Sequence, residues 1–420
     1  MKTFIKRMTA LSLIAILTLG IGYSFAQNNT TYYTVNGVIK DSKTKQKVIF
    51  ASISVPGTNI GTVSNSDGEF TLKVQKSLSV TEFEISHLGY INKKFTIAES
   101  SNGEQTFNVD PFSVELKELI VKPVDPRSIV LRAISSIGDN YSTIPNMLTG
   151  FYRETIKQRR DYVSISEAII DIYKSPYASN FDNDRVRLFK GRKSTNVKKV
   201  DTLTVKLIGG PNISLMLDIV KNPEVLLSRE NLDFYNYELL NVVNIDGKMN
   251  YEIGFTPIMD LDYPLYYGKY YIEKETLAIT MAQFSLDLKD EEKAAQSFVK
   301  KKPLGLKFVP TSTSYLVTYK EQDGKYYINY VRNEVKFSCS WKKRIFKTSY
   351  TVMSEMAVTE RKTENVEKFA AKESFKQYTV LADKVQDYFD ENYWGEYNTI
   401  VPDENIQSAI NKFNKRLKKQ

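Results

Sequence analysis

The sequence predicts a mainly β protein in two parts: an N-terminal antiparallel β-sandwich, then an α+β domain with a large antiparallel sheet and two C-terminal helices. Three observations predict it. From Val35 to about Pro111, short apolar–polar alternations are separated by turn residues, with no helical period. Pro123-Val124-Asp125-Pro126 then punctuates the chain. Beyond it, aromatic and β-branched runs return, interrupted and closed by segments with apolar residues every three or four positions. The 420 residues are 42% hydrophobic and 25% charged, and at ~150 residues per domain that length suits two or three domains.

The first segment is an address. Lys2, Lys6 and Arg7 precede an apolar run over 11–21 and then Ser24-Phe25-Ala26, the order of a secretory signal with cleavage before Gln27. The apolar run is shorter than the ~20 residues of a spanning helix. No cysteine follows the cleavage site to carry a lipid anchor, and no apolar stretch of spanning length follows. The expectation is residues 1–26 as signal peptide, and an exported chain that is periplasmic or peripherally associated with the outer membrane, without a transmembrane span.

Residues 27–122 are expected to form the sandwich. Ala51, Ile53 and Val55 alternate with polar neighbours, as do Phe70, Leu72 and Val74, and then Phe83 and Ile85. Pro56-Gly57, Gly61 and Asp67-Gly68 supply the backbone angles of tight turns between them. Asn65 before Asp67-Gly68 has a trace of a calcium loop, but the EF-hand pattern is absent and a hairpin turn accounts for it.

Val35-Asn36-Gly37-Val38-Ile39, Ala51 to Val55, Gly57-Thr58, Gly61-Thr62, Asp67-Gly68-Glu69-Phe70 and Leu88-Gly89-Tyr90 resemble the signature of the carboxypeptidase-regulatory-like domain. Val114 to Val121 resembles the strand that ends it. This domain is similar to the module that precedes the plug of many TonB-dependent receptors in Gram-negative bacteria, and the resemblance implies a transthyretin-like sandwich without peptidase activity. The composition agrees. Catalytic zinc needs several imidazole or carboxylate ligands around an open position, and the chain has one histidine, His87, whose parity with Phe83 and Ile85 makes it a half-buried packing residue.

Residues 123–420 are expected to form the second domain. Ile129, Ala133, Ile137 and Tyr141 recur every four positions and describe an amphipathic helix ending near Asn140. Strands are expected over 162–173, 200–207, 251–255, 270–273 and 278–286, with a short helix over 213–220 between Pro211 and Pro223. The strand–turn–strand pattern from Gly268 to Ile279 resembles the repeated hairpin of LolA-like half-barrels, whose curved sheets hold lipid or lipoprotein acyl chains. Two helices, 372–394 and 403–418, are expected to close the chain. In the second, Ile406, Ile410, Phe413 and Leu417 make one stripe, Asp403 is placed to cap, and Lys415, Arg416, Lys418 and Lys419 suit the C-terminal end of the dipole. That stripe docks on the sheet or lies on an anionic membrane.

The chemistry is constrained by what is scarce. One histidine and one cysteine exclude a histidine-cluster metal site, a disulfide framework and a Cys-His pair. Cys339, in a strand-like run, reads as a buried small residue. Charges on both parities, such as Arg187, Lys190, Arg192, Lys193, Lys198 and Lys199, argue against a membrane barrel. Gly209-Gly210-Pro211 lacks the lysine and hydroxyl of a phosphate loop and reads as a helix start. Arg153 and Glu154 stand side by side in Gly150-Phe151-Tyr152-Arg153-Glu154, but neighbours on a strand face opposite ways. Asp201-Thr202-Leu203 resembles a short O-glycan acceptor. No catalytic, cofactor-binding or metal residue is assigned.

The expected role is an exported envelope binding or scaffold protein, not an enzyme, holding an outer-membrane protein partner or a lipid or lipoprotein ligand. The 27 tyrosines and 22 phenylalanines could line a concave sheet as well as fill a core. The net charge of +9, three of whose cations sit in the signal, points toward anionic envelope surfaces and not toward nucleic acid. Two alternatives remain: a glycan-processing hydrolase using carboxylates such as Asp260 and Asp262 beside Tyr263, Tyr266 and Tyr267, and an accessory partner of an outer-membrane importer.

Overall fold

The computed structural model describes residues 31–97, 103–112, 125–178, 183–195, 206–207, 210–301, 304–341, 347–376, 379, 381–385 and 394–417. Residues 1–30, the expected closing strand Val114 to Val121, Pro123 and Val124 of the punctuation, Lys198, Lys199, Asp201, Thr202, Leu203, Lys418 and Lys419 lie outside them.

The sandwich is built from β1 (Tyr32–Asp41), β2 (Ser52–Ser54), β3 (Gly61–Val63), β4 (Glu69–Gln75), β5 (Glu82–Ser86), β6 (Lys93–Thr96) and β7 (Glu104–Val109). One sheet has the order β4-β1-β7 and the other β3-β2-β5-β6. The alternating residues read from the sequence meet between them: Val35, Ala51, Ile53, Leu72, Val74, Phe83 and Ile85 are all buried in one core. Its packing explains one motif residue. A Cβ on Gly37 would fall 2.2 Å from the Phe107 ring, so only glycine lets β1 pass beneath it. One pair departs from the antiparallel expectation: β7 runs parallel to β1, Gly37 facing Gln105 and Ile39 facing Phe107. Alternation encodes which face of a strand is buried but not its direction, so this pairing had no signal in the sequence.

The chain beyond the sandwich holds β8 (Asn146–Gln158), β9 (Asp161–Lys174), β10 (Arg185–Thr195), β11 (Lys206–Leu207), β12 (Tyr235–Ile245), β13 (Lys248–Pro257), β14 (Tyr266–Glu273), β15 (Ile279–Leu286), β16 (Val299–Lys301), β17 (Leu306–Gln322), β18 (Lys325–Trp341) and β19 (Thr348–Lys362). Ten of them form one antiparallel sheet in the order β10-β9-β8-β19-β18-β17-β15-β14-β13-β12, while β11 and β16 pair separately. The long-range pairing of β19 with β8, Ala357 opposite Phe151, fuses two meanders. The sheet stays open, with β10 and β12 as its edges.

The helices are α1 (Pro126–Ser135), α2 (Ile137–Asn140), α3 (Pro211–Met216), α4 (Glu291–Gln296), α5 (Leu381–Lys384) and α6 (Glu404–Leu417). Asp125 caps α1, its carboxylate accepting the Arg127 and Ser128 N–H groups. The single helix expected to end near Asn140 is divided at Ser136. Ser135 and Ser136 each donate a hydroxyl to the carbonyl four residues back, a competition with the backbone that bends helices. The helix expected over 372–394 is corrected: in its described part only Leu381–Lys384 is α-helical. Tertiary pairing overrides its local pattern, because the Phe375 N–H donates to the Val186 carbonyl on edge strand β10 (2.6 Å) and the Phe375 carbonyl accepts from Asn212 (2.9 Å).

Candidate functional site

The two faces of the ten-stranded sheet set what this protein can bind. The inner face carries Leu148 and Tyr152 of β8, Ile170 and Ile172 of β9, Ile253 and Phe255 of β13, and Val317 and Tyr319 of β17. Against it pack Ile129, Val130 and Ala133 of α1, Tyr141, and Leu215, Leu217, Ile219, Val220, Leu226, Leu227 and Leu232 from the segment around α3. The aromatic residues that could have lined an open concavity are tied down by hydrogen bonds. Tyr141 donates to the Ile279 carbonyl (2.6 Å), Tyr270 to the Leu226 carbonyl (3.1 Å) and Tyr319 to Asp218 (2.8 Å), while Tyr177 accepts from the Ile328 N–H (3.0 Å).

Among these rings sits a charged triad. Lys174, fully buried, reaches Asp184 at 2.6 Å and Asp218 at 2.7 Å. Burial pulls the ammonium pKa down, but the two aspartates outweigh it and hold it above the ordinary lysine value. Sequence reading misses this triad, since each of the three residues reads as a surface residue and no periodic pattern links Asp218 to Lys174 and Asp184.

The outer face carries Phe151, Arg153, Ile169, Tyr330 and Ala357. Over it lie Val63 and Phe50 of the sandwich, and Trp394, Tyr397 and Ile400 from a strap before α6. Beneath them Arg153 is 1% exposed and donates from Nε to Glu167 (2.7 Å), from Nη1 to Glu355 (2.8 Å) and from Nη2 to the Ile400 carbonyl (2.6 Å). Arg192 closes on Glu167 from the other side. Burial raises the Glu167 pKa, yet Arg153 and Arg192 outweigh it and leave the carboxyl below its ordinary value. Glu154, the neighbour of Arg153, faces inward as strand parity requires. It accepts the Gly210 N–H at 3.0 Å, serving the start of α3 where glycine offers no capping side chain. Its pKa is raised, chiefly by burial.

The sandwich is tied down through polar groups. Asn398 of the strap accepts from the Lys73 N–H (2.7 Å) and donates to the Lys73 carbonyl (3.0 Å), and Ser66 donates to Asp403 (2.7 Å). Asp67, the turn residue of the sandwich motif, accepts the Glu404 N–H (3.0 Å) while Asp403 accepts that of Ile406 (2.7 Å), so two carboxylates cap α6. The helix itself is docked, with Ile406, Ile410 and Phe413 packed on Ile165. At the far side of the sandwich a cleft of about 330 Å³ separates the β2–β3 hairpin from the β17–β18 turn. Its Arg361 is committed to Asn59 (3.0 Å) and Asp323 (3.1 Å) and stacks 3.9 Å over Tyr327.

The remaining sequence candidates separate. Asp260 stands in an exposed loop, its side chain 95% exposed and its carboxylate 3.0 Å from Lys293 of α4. Tyr263 and Tyr267 are exposed beside that loop, whereas Tyr266 packs edge-on against Phe284. Glu167 and Glu355 meet across the Arg153 guanidinium, and Glu355, Glu334 and Asp403 line a small cavity together with Arg153 and Arg332, so the carboxylates there face cations. His87 is half-buried against Tyr90, ring centres 5.5 Å apart. Cys339 is buried. Among the described residues no group of three or more His, Cys, Asp or Glu side chains could hold a metal ion, and no helix is long and apolar enough to cross a membrane.

Comparison with known proteins bears on one part of the chain. Residues 35–121 match the CarboxypepD_reg-like domain. This is the resemblance carried by the Val35-to-Tyr90 motifs. No curated protein matches the chain. Among solved structures, the chain is similar to a domain from Vibrio parahaemolyticus assigned as an outer membrane lipoprotein-sorting protein, at 9% identity and a TM-score of 0.25, over 58% of this chain and 94% of that one. It is also similar to a LolA superfamily protein from Nitrosomonas europaea, at 12% identity and a TM-score of 0.21, over 61% of this chain and 100% of that one.

Proposed function

We propose that the chain is an exported envelope scaffold, cleaved after residue 26, whose sandwich (27–122) and sheet domain (123–420) together present a surface to an outer-membrane protein. The observation that supports a protein partner over an apolar ligand is the filling of the inner face: the place where a half-barrel would hold an acyl chain is taken by the protein's own leucines. The surface offered to a partner is the uncovered end of the sheet around β12–β14, where Leu240, Ile258, Met259, Tyr263 and Tyr267 are exposed. Exposed apolar and aromatic groups gathered on one surface are characteristic of protein contact sites.

Mass spectrometry of the native protein, isolated from its own envelope in mild detergent after cross-linking, tests this reading. An outer-membrane protein joined through the loop holding Met259, lost in Leu240→Asp/Met259→Asp, is the expected result. Stoichiometric lipid in an organic-solvent extract, with no cross-linked partner, would overturn it and return the sheet to a holding role.

A further inference from the structure

We propose that the groove between the β8–β9 turn and α6 is an anion site for a phosphoryl-bearing ligand. A cavity of about 620 Å³ opens there, lined by Lys157, Arg159, Arg160, Lys336 and Lys412 against only two carboxylates, Asp161 and Glu334. Lys336 is neutralised by Glu334 at 3.1 Å. Lys157, Arg159, Arg160 and Lys412 have no ion-pair partner among the described residues; Lys157 lies over the Tyr162 ring, 4.4 Å from its centre. This contrasts with the interior, where Arg153, Lys174 and Arg361 each have a carboxylate.

The turn itself gives a second indication. Gln158 pairs with Asp161, so Arg159 and Arg160 are the two linking residues of a hairpin. Arg159 has φ 55°, a left-handed conformation that glycine or asparagine adopts at less cost. Two adjacent arginines there serve no need of the turn, but they place guanidinium groups at the rim of the groove. Asn405 and Ser408 of α6 add neutral polar groups along the wall. The helix N-terminus takes no part, since Asp67 and Asp403 already occupy it.

Guanidinium and ammonium groups converging with neutral donors suit the several oxygens and roughly two charges of a phosphoryl group better than a single carboxylate. Such a group is carried by an anionic lipid headgroup or by a free phosphate compound, and the groove recognises what the two share.

The test uses the purified full chain and does not depend on the protein partner, so either reading can fail alone. Binding of inorganic pyrophosphate is measured by calorimetry at low salt, and binding to vesicles by sedimentation, comparing phosphatidylcholine alone with phosphatidylcholine containing phosphatidylglycerol. Arg160→Glu/Lys412→Glu removes two exposed groove cations without touching the core. Lys289→Glu/Lys307→Glu makes the same charge change elsewhere on the surface. At least tenfold weaker binding in the groove variant, with little change in the control, is expected. Pyrophosphate binding alone supports the site and names a free phosphate compound, whereas binding to anionic vesicles, with or without pyrophosphate, supports it and names a headgroup. No binding to either probe at low salt, or equal losses in the two variants, would overturn the proposal.

Discussion

In Arg153→Met the side chain keeps most of its length but loses the guanidinium that stands between Glu167 and Glu355, 2.7 and 2.8 Å away. Removing one partner from a buried ion pair costs about 3–5 kcal/mol, because the remaining charge stays buried without compensation. Here two carboxylates lose a partner, but Glu167 keeps Arg192, and Glu355 keeps the Tyr330 hydroxyl at 3.0 Å and Arg332 at 3.6 Å. The loss therefore stays near a single broken pair and does not double. At roughly 2–4 °C per kcal/mol for a domain of this size, the melting temperature falls by about 6–20 °C. The pH dependence gives the sharper check. In the parent, Glu167 has a depressed pKa, so its contribution is fully present above the ordinary carboxylate range near pH ~4.3 and is lost as pH falls through the folded-state value. In the variant, burial acts with only Arg192 against it, the carboxyl pKa rises, and a proton can take the place of the guanidinium. The stability gap between parent and variant is then largest at neutral pH and narrows toward pH 5. Urea unfolding at pH 7.5 and 5.0 measures it, followed by the fluorescence of the two tryptophans, Trp341 and Trp394, the latter packed edge-on against Phe151 at 5.5 Å. A loss below about 1 kcal/mol at pH 7.5, or a gap that widens on acidification, would refute the argument.

Burial pushes the Cys339 thiol up to about 11, so at pH 8 the native chain should resist a disulfide reagent and react fully only after unfolding; fast labelling of the folded protein would count against its burial. The single histidine permits a clean titration. Burial lowers the His87 pKa, so its imidazole proton resonances should shift with a midpoint below the ordinary ~6.5. Because the unfolded state then binds the proton more readily, stability contributed by neutral His87 is present above ~6.5 and declines as pH falls below it. A midpoint at or above that value would count against burial as what sets its titration.

What could be read from the sequence was whatever repeats locally. The alternation of Phe70, Leu72 and Val74 named the sandwich core, and the stripe of Ile406, Ile410 and Phe413 named the face of α6 that docks. Pairings between distant strands had no such signal: nothing in β1 announces that β7 lies parallel beside it, and nothing in β8 announces β19. The buried charges were hidden for a related reason. Arg153, Lys174 and Glu167 carry the residue types of a solvated surface, and only the three-dimensional meeting of Lys174 with Asp184 and Asp218, and of Arg153 with Glu167 and Glu355, makes their burial tolerable. Asp67 was legible as a turn residue, but its second role, capping a helix some 337 positions away, was not. Interior polar networks are where a periodic reading of hydrophobicity is blind by construction.

The energetics of the inner face weigh against its admitting a guest. Admitting an acyl chain there would require displacing Leu215, Leu217, Ile219, Val220, Leu226, Leu227 and Leu232 from the core they occupy. At about 1.5–3 kcal/mol for each buried aliphatic side chain, that is about 10–20 kcal/mol of burial to be replaced by the guest, comparable with the whole stability of a typical domain. Displacement would also strip Asp218 from Lys174 and Tyr319, leaving a buried ammonium with one carboxylate. The outer face works differently. Contacts made largely of directed hydrogen bonds, such as Asn398 to both backbone groups of Lys73, hold the sandwich in one orientation, because a sliding movement would leave buried donors and acceptors unpaired. A sheet covered by its own leucines on one side and joined to the sandwich by polar bonds on the other is held in shape from both faces.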